Sequence, residues 1–168
     1  NKEQIDILTE TAIKKADASE ESAELIAQVV ANASDELVNK VVEEVSKNSI
    51  DENQTLSAKV LKAIVDIDSG KINIIEDDVK DTMIKQTIES AQNQQEGTGV
   101  QQDQDMTSIV SDIIVNTDTD TGSKIIEELN NSTSDSDLSL KVISGISQKD
   151  TEKLNTISEN NKEQIEAL

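Results

Sequence analysis

The sequence predicts an all-α fold of short capped helices in two related halves, with a helical-repeat architecture that is either solenoid-like or an irregular bundle. Three observations lead to this prediction. Ile, Val, Leu and Ala recur in pairs at the spacing of a helix. No stretch keeps the period-two alternation that is typical of a half-buried strand. The second half of the chain repeats many positions of the first half.

A nine-residue pattern is the clearest local signal. Its first position is Ser, its second is variable and its third is Glu or Lys. Two aliphatic residues, two spacers and two more aliphatic residues follow. The pattern starts at Ser22, Ser34 and Ser57, and its first eight positions recur from Ser139. On a helix the four aliphatic positions form one broad apolar stripe. The leading serine is predicted to be an N-cap, because its hydroxyl can accept a hydrogen bond from a free amide of the first turn.

Five helices are predicted in the first half. The first begins near the start of the chain, the next three coincide with the nine-residue pattern, and the fifth reaches the polar segment that follows. The predicted helices cover residues 2–16, 22–32, 35–47, 56–65 and 74–92. The segment Gln92–Asp105 contains two glycines and little apolar content, which predicts a flexible linker.

In the second half, the same aliphatic spacing resumes after the linker. The predicted helices there cover residues 106–116, 121–130, 137–147 and 150–168. The chain therefore divides into a first helical half-repeat at 1–91, a linker at 92–105 and a second helical half-repeat at 106–168.

The duplication is visible in both polar and apolar residues. A shift of 84 residues places Asn32 on Asn116 and Lys40 on Lys124, and the aliphatic pairs coincide as well. After a deletion of two residues the shift becomes 82. The match then continues through these pairs: Leu56 and Leu138, Ser57 and Ser139, Val60 and Val142, Ile64 and Ile146, Lys71 and Lys153.

The two ends of the chain also match. Residues 1–8 read NKEQIDIL and residues 161–168 read NKEQIEAL, with six identities in eight positions. We interpret 161–168 as restarting the unit at 1–8, so that the chain is one period of a tandem array. The aliphatic spacing and capping serines are similar to those of α-helical repeat proteins in general, without pointing to a specific family. This resemblance implies that neighbouring repeats stack and share a core.

The composition excludes many functions. The 168 residues use thirteen amino-acid types, and Cys, His, Arg, Pro and all aromatic residues are absent. The chain therefore lacks thiolate nucleophiles, imidazole bases and guanidinium phosphate clamps. Its 35 acidic residues and 15 lysines give a net charge of −20, which disfavours binding to nucleic acids and anionic membranes. No segment has the ~20 apolar residues that span a bilayer. We predict no enzyme activity, no nucleic-acid partner and no membrane insertion.

One segment resembles a calcium-binding loop. An EF-hand loop places oxygen ligands at positions 1, 3, 5 and 12 and Gly at position 6. In Asp66–Asp77, if position 5 is deleted, Asp66, Asp68 and Glu76 fall on positions 1, 3 and 12. These three residues are the candidate metal ligands, and calcium is the candidate cofactor. The alternative interpretation is a glycine-containing turn whose acids serve solubility.

The sequence predicts a structural repeat unit of a long acidic tandem-repeat protein, such as a filament, stalk, surface layer or fibre. Its partners would be adjacent copies of the same repeat, and self-assembly would proceed by packing of the aliphatic stripes. The alternative is a helical protein-binding or calcium-binding module of a larger protein. An acidic, Asn-, Ser- and Thr-rich chain without Cys suits an extracellular or cell-surface location, and it also fits a cytoplasmic scaffold.

Overall fold

A computed structural model describes residues 2–50, 55–95, 105–132 and 136–160. The all-α prediction is confirmed, because every regular element in these ranges is a helix. The α-helices are α1 (Lys2–Ile13), α2 (Glu20–Asn32), α3 (Asp35–Asn48), α4 (Leu56–Asp68), α5 (Asp77–Gln95), α6 (Met106–Asn116), α7 (Thr119–Ser132), α8 (Ser136–Lys149) and α9 (Thr151–Asn160). A 3-10 helix, Ser69–Ile74, directly follows α4.

The start of α2 differs from the prediction. Ser22 was expected to cap the helix, but the N-cap is Ser19, whose hydroxyl accepts a hydrogen bond from the Ser22 amide at 3.2 Å. The additional turn contains Glu20 and Glu21. Two carboxylates there favour an earlier start, because negative charge is stabilised near the amino end of a helix.

The serine-cap prediction holds at one of its four positions. Ser34 is the N-cap of α3, although its side chain makes no capping hydrogen bond. Ser57 and Ser139 lie inside α4 and α8 and are buried. The Ser57 hydroxyl donates a hydrogen bond to Gln86 Oε1 at 2.6 Å and lies 2.8 Å from the Ser49 hydroxyl. At Ser57, hydrogen bonds to Ser49 and Gln86 take the place of the predicted capping hydrogen bond.

The chain forms two compact units, Asn1–Gln86 and Thr87–Leu168, whose boundary lies within α5. In the first unit, α1 packs on α3, and α2 packs against α3 and α4. The 3-10 helix contacts α3 and α4. Its core is aliphatic and includes the fully buried residues Val30, Val38, Val42, Val45, Leu56 and Val60.

The second unit has the same order of contacts. Helix α6 packs against α7 and α8, and α9 packs against α7 and α8. The contacts among α6, α7, α8 and α9 thus match those among α2, α3, α4 and the 3-10 helix. The core again consists of aliphatic side chains, including Ile114, Ile126, Leu129, Leu138, Val142 and Ile146.

Part of the predicted domain organisation lies outside the described residues. The predicted linker begins inside α5, which continues to Gln95, and 96–104 are not described. Segment 161–168, predicted to restart the unit, is also not described. The division at 91 and 105 therefore stays a prediction. Among the helices that the structure describes, none is long and apolar enough to cross a membrane.

Candidate functional site

The predicted calcium ligands Asp66 and Asp68 lie in the last turn of α4, where both are exposed. Asp66 Oδ2 accepts a hydrogen bond from Lys62 Nζ at 2.5 Å. Asp68 Oδ1 accepts one from the Gly70 amide at 3.1 Å and so caps the 3-10 helix. Each carboxylate therefore has a local partner from the protein itself.

The third predicted ligand, Glu76, follows the 3-10 helix and is exposed. Its amide donates a hydrogen bond to Asn39 Oδ1 at 2.8 Å. In the part of the chain that the structure describes, no three acidic side chains are grouped so that they could hold a metal ion, and Asp66, Asp68 and Glu76 are not so grouped. Most of the predicted loop is helical. Calcium binding at these residues stays a prediction.

Calorimetric titration with Ca²⁺ tests that prediction. Binding would require Asp66 to exchange Lys62 for the ion and Asp68 to release its capping bond. Heat that disappears in the Asp66→Ala/Asp68→Ala variant would support the site. Absence of heat up to millimolar Ca²⁺, the weak end of protein calcium sites, would reject it.

A network of hydrogen bonds precedes α2. Asp17 Oδ1 accepts from the Ser19 hydroxyl at 2.5 Å, from the Ser22 hydroxyl at 2.7 Å and from the Ser19 amide at 3.1 Å. These bonds, first of all that from the Ser19 hydroxyl, lower the pKa of Asp17 from 3.8 to about 2, because they favour the charged carboxylate. The network fixes the direction in which the chain enters α2.

We expect Asp17→Asn to lower the stability of the first unit at neutral pH. The folded-state pKa of Asp17 lies below its ordinary value, so the carboxylate contributes stability above pH ~4 that is lost as the pH falls through about 2. The difference in unfolding midpoint between wild type and variant should therefore shrink over this range. Glu21→Gln, which removes a charge from the first turn of the same helix, is the control. A difference that is independent of pH would contradict the role of the carboxylate.

Two lysines at matching positions of the predicted duplication make the same contact. Lys71 Nζ donates a hydrogen bond to the carbonyl of Ala33, the C-cap of α2, at 3.0 Å. Lys153 Nζ donates to the carbonyl of Thr117, the C-cap of α6. A cation at this end of a helix satisfies a free carbonyl and interacts favourably with the helix dipole. Each lysine also links the helix to the segment that follows α4 or α8.

We expect Lys71→Met and Lys153→Met each to lower the free energy of unfolding by about 1 kcal/mol, the typical contribution of one such hydrogen bond. Methionine keeps the length and apolar stem of lysine but removes the donor. Lys85→Met on α5 is the control, because Lys85 is exposed. Urea unfolding followed by far-ultraviolet circular dichroism provides the measurement. Equal effects at all three lysines would mean that only net charge matters.

Helices α6 and α8 pack closely where two small residues, Ser111 and Gly145, meet. The Ser111 hydroxyl on α6 donates to the Thr107 carbonyl at 2.9 Å and lies 3.2 Å from the Val142 carbonyl on α8. A Cβ added at Gly145 would lie only 2.5 Å from Ser111 Oγ. The matching positions of the first unit hold Ala27 and Ala63, both buried.

The first unit also has an open apolar groove beside α1 and α2, with a volume of about 480 Å³. Its walls include Leu8, Leu25 and Val29, which are 69%, 56% and 42% exposed. Most of the residues that line the groove are aliphatic, and the polar ones are Thr9, Lys15 and Ser22. The chain matches no protein-family model, no curated protein and no solved structure.

Proposed function

We propose that this chain is a structural repeat unit of a longer acidic tandem-repeat protein, such as a filament, stalk, surface layer or fibre. The unit acts through packing against adjacent copies. Under this proposal the chain has no catalytic role, and its working residues are the aliphatic stripes of the helices. Its composition favours a place outside the cell or on its surface.

The paired lysine contacts carry the proposal. Lys71 and Lys153 were matched by sequence alone, and each donates to the residue that caps the matching helix, α2 or α6. A chance similarity between two polar helices does not require the same tertiary hydrogen bond in both units. Matching core positions also agree, since Val30 and Ile114, like Val60 and Val142, are fully buried. These agreements support descent of the two units from one ancestor. Under the proposal, the match between residues 1–8 and 161–168 is the same repetition at the scale of the whole unit.

The charge of the chain fits a long polymer. With 35 acidic residues against 15 lysines, copies carry a net charge of −20 and resist lateral aggregation. Exposed pairs such as Lys47 with Glu43, at 2.8 Å, add little stability individually. The aliphatic core must therefore supply most of the stabilisation.

A chain with two copies in register tests the proposal. Residues 1–160 are followed directly by residues 1–168, so that the second copy begins where Asn161 would stand. In a repeat protein, stability is the sum of unit stabilities and of interfaces between neighbours. We therefore expect the two-copy chain to unfold at a higher urea concentration than the single chain.

The matched control inserts a long flexible Gly/Ser linker between the same two copies, which removes the register but keeps the composition of each copy. Equal unfolding midpoints for the direct fusion, the linked fusion and the single chain would reject the proposal. Sequencing of the parent gene gives an independent check, since the proposal requires further copies of this unit beside it.

A second candidate function rests on the groove beside α1 and α2. Its apolar walls and exposed Leu8 and Leu25 also suit a helical module that binds another protein. This candidate predicts no additional stability in the two-copy chain, so the same experiment distinguishes the two functions.

A further inference from the structure

The same helix face is exposed in one unit and buried in the other. On α2, Leu25 and Val29 are 56% and 42% exposed. Their counterparts on α6, Ile109 and Ile113, are each 2% exposed. Ser22 shows the same difference, since it is half-buried and its counterpart Met106 is fully buried. We call Ser22, Leu25 and Val29 the α2 face.

A second face shows the reverse difference. On α8, Leu140 is 51% exposed, Ile143 is half-buried and Ser147 is exposed. Their counterparts on α4 are Ala58, Leu61 and Val65, which are 0%, 2% and 5% exposed. We call Leu140, Ile143 and Ser147 the α8 face. The spacing of i, i+3 and i+7 places the three residues on one side of the helix.

Each unit therefore has one face buried and one face exposed, and the exposed face differs between the units. The flanking positions do not differ in this way, since Ile26 and Val110 on α2 and α6, like Ile64 and Ile146 on α4 and α8, are buried in both units. The difference is confined to two faces. A second copy that covered the exposed face of each unit would leave neither face open to solvent.

We infer that copies of this chain associate head to tail, with the α2 face of one copy docked against the α8 face of the preceding copy. This inference rests on the proposed function and adds the surfaces and the direction of packing. The groove beside α1 and α2 is the space that the preceding copy fills, because Leu25 and Val29 form part of its wall. Two different faces in contact form a heterologous interface, which does not close as a two-fold dimer and extends into a filament when the rotation between copies does not close a ring.

The like charges of the copies oppose this contact. Each copy carries −20, so docking is weak between separate chains at low ionic strength and strengthens as salt screens the repulsion. Covalent linkage in one chain overcomes the repulsion by raising the effective concentration of the second face. The two-copy chain is therefore the suitable protein for the test.

The first measurement is thiol accessibility. The chain contains no Cys, so Leu25→Cys introduces a single thiol. In the single chain and in the first copy of the two-copy chain, this thiol should react with a small maleimide as fast as Glu24→Cys, an exposed position of α2 outside the α2 face. In the second copy it should react roughly tenfold more slowly or less, because burial limits access. Glu24→Cys should react equally in both copies.

The second measurement identifies the covering face. A bismaleimide that spans about 10 Å, the distance between packed helix axes, should link Leu140→Cys of the first copy to Leu25→Cys of the second. The control pair, Lys141→Cys and Glu24→Cys, has nearly the same separation along the chain, and both positions are exposed. Each is one residue away from Leu140 or Leu25 and therefore points to a different side of its helix. We expect the first pair to cross-link roughly tenfold faster.

Three results would overturn the inference. Slow reaction of Leu25→Cys in the single chain would mean that a segment of the same chain covers the α2 face. Equal reaction in both copies would mean that no copy covers it. Equal cross-linking of the two pairs would mean that another face does. If the direct fusion still unfolds at higher urea than the linked fusion, the proposed function stands and only this docking geometry fails.

Discussion

Replacing Leu138 by alanine should lower the free energy of unfolding of the second unit by about 3 kcal/mol. Leu138 lies near the start of α8, is 1% exposed and belongs to the aliphatic core. Truncation removes three buried carbon atoms and leaves a cavity in a rigid surrounding, and such changes typically cost about 2–5 kcal/mol. Domains of this size are stable by about 5–15 kcal/mol, so the loss is a large share.

Leu140→Ala provides a matched control two residues further along α8. Leu140 is 51% exposed, so the same change should cost far less in a dilute single chain. Because the chain has no aromatic residue, far-ultraviolet circular dichroism in urea is the suitable measurement. The two units can unfold in separate steps, and only the step of the second unit should move. Equal effects at both leucines would mean that α8 does not bury Leu138.

Aliphatic spacing was sufficient to predict the helices. Residues 106–116 were predicted as a helix and α6 covers the same range, and the predicted range 22–32 ends at the last residue of α2. The apolar stripe dictates which residues must face a core, and that requirement is local. The predicted start of α2 was wrong because the capping residues Asp17 and Ser19 lie outside the nine-residue pattern.

Long-range contacts could not be predicted from the pattern. Lys71 and Lys153 were matched in sequence, but nothing local indicates that each reaches a helix end far away in the chain. A lysine that recurs at a repeat position with its aliphatic neighbours is the signal that could have suggested a structural role. The sequence also could not predict which of the aliphatic residues are exposed. Leu25 and Ile109 are both aliphatic, and they differ only in what surrounds them.

At the candidate metal site, the sequence pattern suggested a function that the local backbone does not favour. Asp66, Asp68 and Glu76 have nearly the spacing of a calcium loop, yet the intervening residues Ser69–Ile74 form a 3-10 helix. The aliphatic residue Ile72 is 1% exposed, so core packing contributes to the path of this segment. Spacing along the chain indicates ligands only when the backbone between them is free to fold around an ion.

The pair Ser111 and Gly145 should show strong energetic coupling. Gly145→Ala places a Cβ 2.5 Å from Ser111 Oγ and 3.1 Å from Ser111 Cβ. Overpacking of a well-filled core typically costs about 1–3 kcal/mol, which exceeds the gain of about 1 kcal/mol from replacing glycine inside a helix. The single variant should therefore be less stable than the wild type. Ser111→Ala alone should also be less stable, since it removes a buried hydroxyl that reaches the Thr107 and Val142 carbonyls.

The double variant Ser111→Ala/Gly145→Ala should recover most of the stability, because it reproduces the pair Ala27 and Ala63 of the first unit. Removal of the hydroxyl relieves the 2.5 Å contact, and alanine then favours the helix at position 145. The interaction energy from the double-mutant cycle should be about 1–2 kcal/mol in the stabilising direction. Additive losses would show that the two units fill this helix crossing in different ways, and that the alanine pair is not an alternative solution for the second unit. The reverse pair, Ala27→Ser with Ala63→Gly, makes the same test in the first unit, where Ala27→Ser alone should be the less stable variant.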